Sequence, residues 1–174
     1  MTRAWQEQIC PSDTPYYHCV SRCVRRSFLC GKDKTTGKNY EHRREWVEKR
    51  LLRLASVFTI DICAYAVMSN HTHVVLYVDK AQAESLPMDE VLTRWHTIAK
   101  GTLLTQKYCD PKQREAMLDV EIAAVESIAD VYRKRLYDIS WFMRLLNEYI
   151  AREANKEDNC TGRFWEGRFK SQAL

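Results

Sequence analysis

The sequence predicts a mixed α/β (α+β) fold, and three stretches carry that prediction. TPYYHCVSRCVRR (14–26) alternates in the manner of a strand. From Glu41 the apolar residues change to a helical period. TIDICAYAVM (59–68) and HTHVVLYVD (71–79) read as two strands joined by a short SN turn at 69–70, an antiparallel hairpin. Strand, helix and hairpin within 174 residues favour one domain, long enough to bury a real core.

Taken in order, the first strand leaves through a basic turn into GKDKTTGKNY (31–40), a polar loop containing glycine. Val47, Leu51, Leu54 and Phe58 then recur at helical spacing, with Arg and Lys on the other faces, which predicts an amphipathic helix over about 41–57. After the hairpin, about 80–137 is charged and rich in helix formers, and reads as a helical insertion or partner-facing arm. One helix is expected from about Met88 to Tyr108. A second is expected to open on DPKQ, with Asp110 as N-cap, Pro111 at the first helical position and Gln113 closing a capping box, and to end near Leu136. DISWFMRLLNEYIAREAN (138–155) is a further helix, its apolar stripe formed by Ile139, Phe142, Leu146, Tyr149 and Ile150. CTGRFWEGRFKSQAL (160–174) is punctuated by glycine and mixes basic with aromatic residues.

Composition narrows the function classes. Hydrophobic residues make up 45% and charged residues 29%, an ordinary globular balance, and the net charge of +4 is compatible with a polyanionic partner. No apolar run reaches the roughly 18 residues of a membrane span. MTRAWQEQIC has no apolar core of a secretory signal, so a cytoplasmic location is expected. Seven cysteines, an odd number, argue against a disulfide framework and for reduced thiols. Cys19 and Cys23 are spaced C-x3-C with Cys30 further on, but no C-x2-C pair occurs, so small buried thiols are favoured over a zinc site.

The residues that stand out chemically are His71 and His73. Residues i and i+2 of a strand face the same way, so the two imidazoles lie side by side. Thr72, Val74, Leu76 and Val78 face the other way and form core. The first set continues through Val75 and Tyr77, which places a polar site at the strand's start over a packed floor. Two imidazoles at this spacing can share one divalent cation if a third ligand comes from elsewhere. The alternative is two partly exposed histidines near a turn.

NHTHVVL resembles the His–bulky–His motif of HUH single-strand DNA endonucleases, with Thr72 in the middle instead of a large hydrophobe. YYHCVSRCVRRSFLC, YAVMSNHTHVVL and TGRFWEGRFKSQAL, in that order, resemble REP-associated tyrosine transposases, relatives of the single-tyrosine transposases of small bacterial insertion sequences. The resemblance spans most of 14–79 and 138–174 and covers 80–137 poorly. It implies a ferredoxin-like domain with an antiparallel sheet that binds folded single-stranded palindromes. It also implies a divalent metal, Mg²⁺ or Mn²⁺, on His71 and His73, and tyrosine attack that leaves a 5′-phosphotyrosine and a free 3′-hydroxyl.

In that family the attacking tyrosine and an amide or similar ligand lie on a helix after the segment matching GRFWEGRFKS. This sequence ends at Leu174, so both are expected beyond it and the chain is expected to be catalytically incomplete. Tyr149 is the alternative nucleophile, although its apolar stripe marks a packing residue. Arg22, Arg25 and Arg26, with Arg163, Arg168 and Lys170, are the expected phosphate contacts, and Trp165, Phe164 and Phe169 are candidates to stack on bases. The alternative for the aromatics is the core of a last edge strand. His18 either approaches the site or packs. Single-stranded or hairpin DNA is the expected partner, with a homodimer possible on the family's precedent. Two rival functions remain open: a non-catalytic hairpin-binding regulator, and a metal-dependent hydrolase of a small phosphate ester.

Overall fold

A computed structural model describes residues 14–24 and 27–174. Arg25 and Arg26 lie outside the described residues. The elements run β1 (Tyr16–Arg22), α1 (Arg43–Val57), β2 (Ile60–Val67), β3 (His71–Val78), α2 (Lys80–Ser85), α3 (Met88–Ile98), α4 (Leu103–Cys109), α5 (Pro111–Arg114), α6 (Asp119–Arg135), α7 (Ile139–Glu157) and β4 (Lys170–Ala173). The mixed α/β class is as the sequence predicts.

The four strands form one antiparallel sheet in the order β2-β3-β1-β4. With α1 between β1 and β2 and α7 before β4, this is the ferredoxin-like split βαβ arrangement, and α2 to α6 are inserted between β3 and α7. One sheet face is core. Tyr17, Cys19, Val74, Leu76, Val78, Ile60 and Val67 are buried there with the α1 stripe (Val47, Leu51, Leu54, Val57) and the α7 stripe (Ile139, Phe142, Met143, Leu146, Ile150, Ala154). Phe58 meets Phe142 edge to face at 5.3 Å. Burial pushes the Cys19 and Cys23 thiols up to about 12, so both are neutral packing groups. The other face carries His18, Val20, His73, Val75 and Tyr77, all half-buried, and is called the open face below.

The insertion belongs to the same core. Val91, Leu92 and Trp95 of α3 pack against Val125, Ala129 and Tyr132 of α6, with Trp95 and Tyr132 stacked at 5.1 Å. Arg94 donates to the Val57 carbonyl at 3.1 Å and ties it to the end of α1.

Two expected helices are each broken in two. The first stops at Ile98 because Gly101 adopts φ +69, and a β-carbon there would fall 2.5 Å from His96 Nε2. Thr102 then caps α4 by accepting from Thr105 N at 3.2 Å. Asp110 caps only the short α5, where Gln113 donates to the Asp110 carboxylate instead of closing onto the backbone. A fresh start follows, with Glu121 accepting from Leu118 N at 2.8 Å at the head of α6. The first strand also ends earlier than expected, at Arg22. Beyond it Cys23 bridges to Trp165 and Val24 N donates to the Phe164 carbonyl, so this backbone is satisfied by the 163–169 segment outside any regular strand.

Among the described residues, one charged side chain is fully buried. Arg43, in the first turn of α1, donates to Glu157 at 2.7 Å and Asp158 at 2.6 Å at the end of α7, and to the Phe28 carbonyl at 2.8 Å. It joins both core helices to the loop that backs the β2–β3 turn.

Candidate metal and nucleic-acid site

The site is built from the hairpin turn outward. Met68 N donates to the His71 carbonyl at 2.8 Å, closing a two-residue turn over Ser69 and Asn70. The turn is held from behind. Ser69 O accepts from Leu29 N at 2.7 Å, Asn70 O accepts from Cys23 N at 2.8 Å, and Arg44 donates to the Val67 carbonyl at 2.6 Å. Strand alternation then does the rest: Thr72, Val74, Leu76 and Val78 are buried, while His71, His73, Val75 and Tyr77 are half-buried on the open face.

Register brings further groups to the pair. Arg22 on β1 lies opposite His71, and Val20 lies opposite both His73 and Lys170 of β4. Cross-strand partners share a face, so Arg22 and Lys170 flank the histidines, with Lys170 about 10 Å from His73 at two strand spacings. His18 Nε2 and His73 Nδ1 are 2.8 Å apart, hydrogen-bonded, and the His71 and His73 ring centroids are 4.9 Å apart.

This arrangement orients ligand lone pairs. The Asn70 side-chain oxygen lies 2.7 Å from His71 Nδ1, and an amide oxygen can only accept, so Nδ1 carries the proton and Nε2 the free lone pair. With the shared proton on His73 Nδ1, His73 Nε2 is free in the same way. Partial burial, and then the neighbouring His71, His18 and Arg22, lower His73 from the ordinary imidazole value, which favours the neutral form that can ligate. Two imidazoles with oriented second nitrogens therefore fit a divalent cation. Among the described residues no group of three or more His, Cys, Asp or Glu is placed to hold a metal ion. A third ligand would be water, substrate or a group outside that set.

The remaining candidates divide between core and surface. Tyr149 lies behind the sheet from the histidines. Asn147 on the same helix donates to Ser21 on the core face at 2.8 Å, and the Tyr149 ring packs against the core with the Arg50 guanidinium 4.8 Å from its centroid. Trp165 is buried and its indole N–H donates to the Asn147 carbonyl at 2.8 Å, so it is a packing residue and not a free stacking face. Phe164 and Phe169 are buried as well. Arg163, Arg168 and Lys170 are exposed, but they stand at different places: Lys170 in β4 beside the histidines, Arg168 on the approach to that strand, and Arg163 farther back along the connection from α7.

In the sequence Asn70 is a turn residue, and in the fold its side chain also sets the His71 tautomer. An amide directly before an H-x-H pair is the signal that could have found it. The His18–His73 contact depends on β1–β3 register across 55 positions and has no local signature. No helix among the described residues is long and apolar enough to cross a membrane. No protein-family model and no curated protein matches this sequence.

Proposed function

We propose that this chain is a single-strand DNA cleavage and strand-transfer domain of the single-tyrosine HUH type, similar to REP-associated transposases, using Mg²⁺ or Mn²⁺ held by His71 and His73. One observation supports the reading above the others. Two imidazoles with oriented second nitrogens share the open face of a ferredoxin-like sheet with Arg22 and Lys170. A bound cation would draw electron density from a phosphodiester and stabilise the charge that develops on it. Arg22 and Lys170 would bind neighbouring phosphates and fix the strand over the histidines, while Asn70 and His18 keep the imidazole lone pairs aimed outward. The reading assigns the attack to a tyrosine hydroxyl other than Tyr149. The substrate is single-stranded or hairpin DNA, and action as a homodimer is part of the family's precedent.

A second reading has its own support. His73 is hydrogen-bonded to His18 and His71 to Asn70, and no three-ligand group is assembled among the described residues, which suits a non-catalytic module that recognises DNA hairpins. Both readings require the open face to carry DNA. Hairpin DNA with a single-stranded tail should bind better than blunt duplex, with affinity falling as salt rises. Arg22→Ala with Lys170→Ala should flatten the log–log salt slope by up to about two units, near one per phosphate contact. An unchanged slope would remove this face from the DNA path. Mn²⁺-dependent cutting of the tail separates the enzyme from the binding module.

A further inference from the structure

A cavity of about 460 Å³ opens between the first half of α7 and the 165–169 segment. Its size is that of a small-ligand site. Trp141, Arg144, Trp165, Arg168 and Phe169 are among its walls. The carboxylates beside it are engaged: Asp138 caps α7 by accepting from Ser140 N at 2.7 Å, and Glu148 pairs with Arg152 at 2.7 Å. The Arg144 side chain is 65% exposed and its guanidinium stands 4.0 Å from Glu148, a loose contact. Trp141 is half-buried, with the Arg135 and Arg144 guanidinium groups 4.2 and 5.0 Å from its ring centroid. An indole, an adaptable guanidinium and a rigid aromatic floor are the groups that receive an unpaired base and its phosphates.

This cavity adjoins the histidine face. A neighbouring cavity of about 420 Å³ is lined by Val20, Arg22, Glu166, Gly167, Arg168 and Lys170, and so lies beside His71 and His73. Gly167 and Arg168 line both cavities. The backbone at Gly167 is bare, with no atom outside its chain neighbours within 4 Å of where a β-carbon would stand. A nucleic-acid strand leaving the histidines past Arg22 and Lys170 therefore meets a low saddle with a second basic and aromatic cavity beyond it.

Resting on the DNA reading above, we propose that the α7 cavity is a nucleotide subsite that takes an unpaired base of the same strand against Trp141 and its phosphates on Arg144 and Arg168. Arg144 swings from the Trp141 ring toward the phosphate as the base enters. The saddle at Gly167 is the point where the strand crosses.

The test uses the full chain and oligothymidine of two lengths, one spanning both cavities and one of about four nucleotides, near the short end of single-strand site sizes. Trp141→Ala should weaken the long oligomer about 5- to 150-fold, the range for loss of one base–aromatic stack, and Trp141→Phe should recover most of it. Gly167→Glu places a carboxylate on the saddle without a steric clash. It should weaken the long oligomer by a several-fold larger factor than the short one, since only the long one crosses the saddle. Because Trp141 also touches Trp95, the Gly167 variant keeps the test valid if Trp141→Ala folds poorly. Photocrosslinking with bromodeoxyuridine in the long oligomer should place an adduct on Trp141. Wild-type affinity in both Trp141→Ala and Gly167→Glu, with Arg22→Ala still weakened, overturns the subsite and leaves the DNA reading standing. Failure of the wild type to bind either oligomer overturns both.

Discussion

Replacing Arg43 with methionine should cost about 3 kcal/mol of stability and loosen the histidine turn. The guanidinium is fully buried and makes three hydrogen bonds, to Glu157, Asp158 and the Phe28 carbonyl, with its Cζ 4.4 Å from the Tyr40 ring centroid. Bonds involving a charged group are worth roughly 1.5–3 kcal/mol each, but they do not add, because all three are lost from one rigid fork. Two effects reduce the loss. The Glu157 and Asp158 side chains are 35% and 30% exposed, so water takes over their hydration, and the methionine refills part of the volume with apolar surface. What remains is chiefly the unpaired Phe28 carbonyl and the lost tie between α1 and α7, about 2–4 kcal/mol in sum. In a chain of this size that lowers the thermal midpoint by about 6–12 °C, read by calorimetry or circular dichroism. The Phe28 carbonyl precedes Leu29, whose N–H holds the Ser69 carbonyl, so the same variant should bind Mn²⁺ more weakly than wild type under folded conditions. A stability loss under about 1 kcal/mol would refute the reasoning, since it would mean that the buried fork is not what holds the helices to that loop.

Other expectations follow from the same observations. Thr72 is buried and its hydroxyl has no hydrogen-bond partner, so Thr72→Val should raise stability by about 1 kcal/mol in denaturant melts without changing Mn²⁺ affinity; destabilisation would show that the hydroxyl is satisfied. Tyr149→Phe should leave any DNA cutting by the chain, or by a longer form of it, unchanged, because the ring packs behind the sheet; loss of a covalent protein–DNA band in a denaturing gel would reverse that placement. Burial works to raise the Glu157 carboxyl, but hydrogen bonds and charge from Arg43 and His42 outweigh it and hold the group below the ordinary glutamate value. Its contribution is therefore fully present above the unfolded value of about 4.3 and is lost as pH falls through the lower folded value. Comparing wild type with Glu157→Gln in urea, the gap should be widest above about pH 5 and narrow below pH 4; a gap constant down to pH 3 would contradict it.

The hairpin and its histidine face were legible because eight residues of strict alternation in β3 leave one assignment for each side chain. The sheet order also follows once the ferredoxin-like resemblance is taken at its word. Other features could not be read locally. A cluster of Phe, Trp and Arg has the same composition whether the rings stack on bases or fill a core, and only the β1–β4 register and the Trp165–Asn147 bond decide for the core. Gly101 was readable as a helix breaker, whereas the restart at Asp119 depends on Glu121 meeting both the Leu118 amide and Lys107 at 2.9 Å. Arg43 looks like one basic residue among many on α1, and its burial depends on residues more than a hundred positions away.

The central claim is that His71 and His73 together hold a divalent cation on the open face. Calorimetric titration of Mn²⁺ into the wild type, His18→Ala and the His71→Ala/His73→Ala double variant tests it directly. The account predicts weak one-site binding in the wild type, still weaker binding when His18 no longer orients His73, and none in the double variant. Equal heats in wild type and double variant, or no binding in a folded wild type, would contradict it.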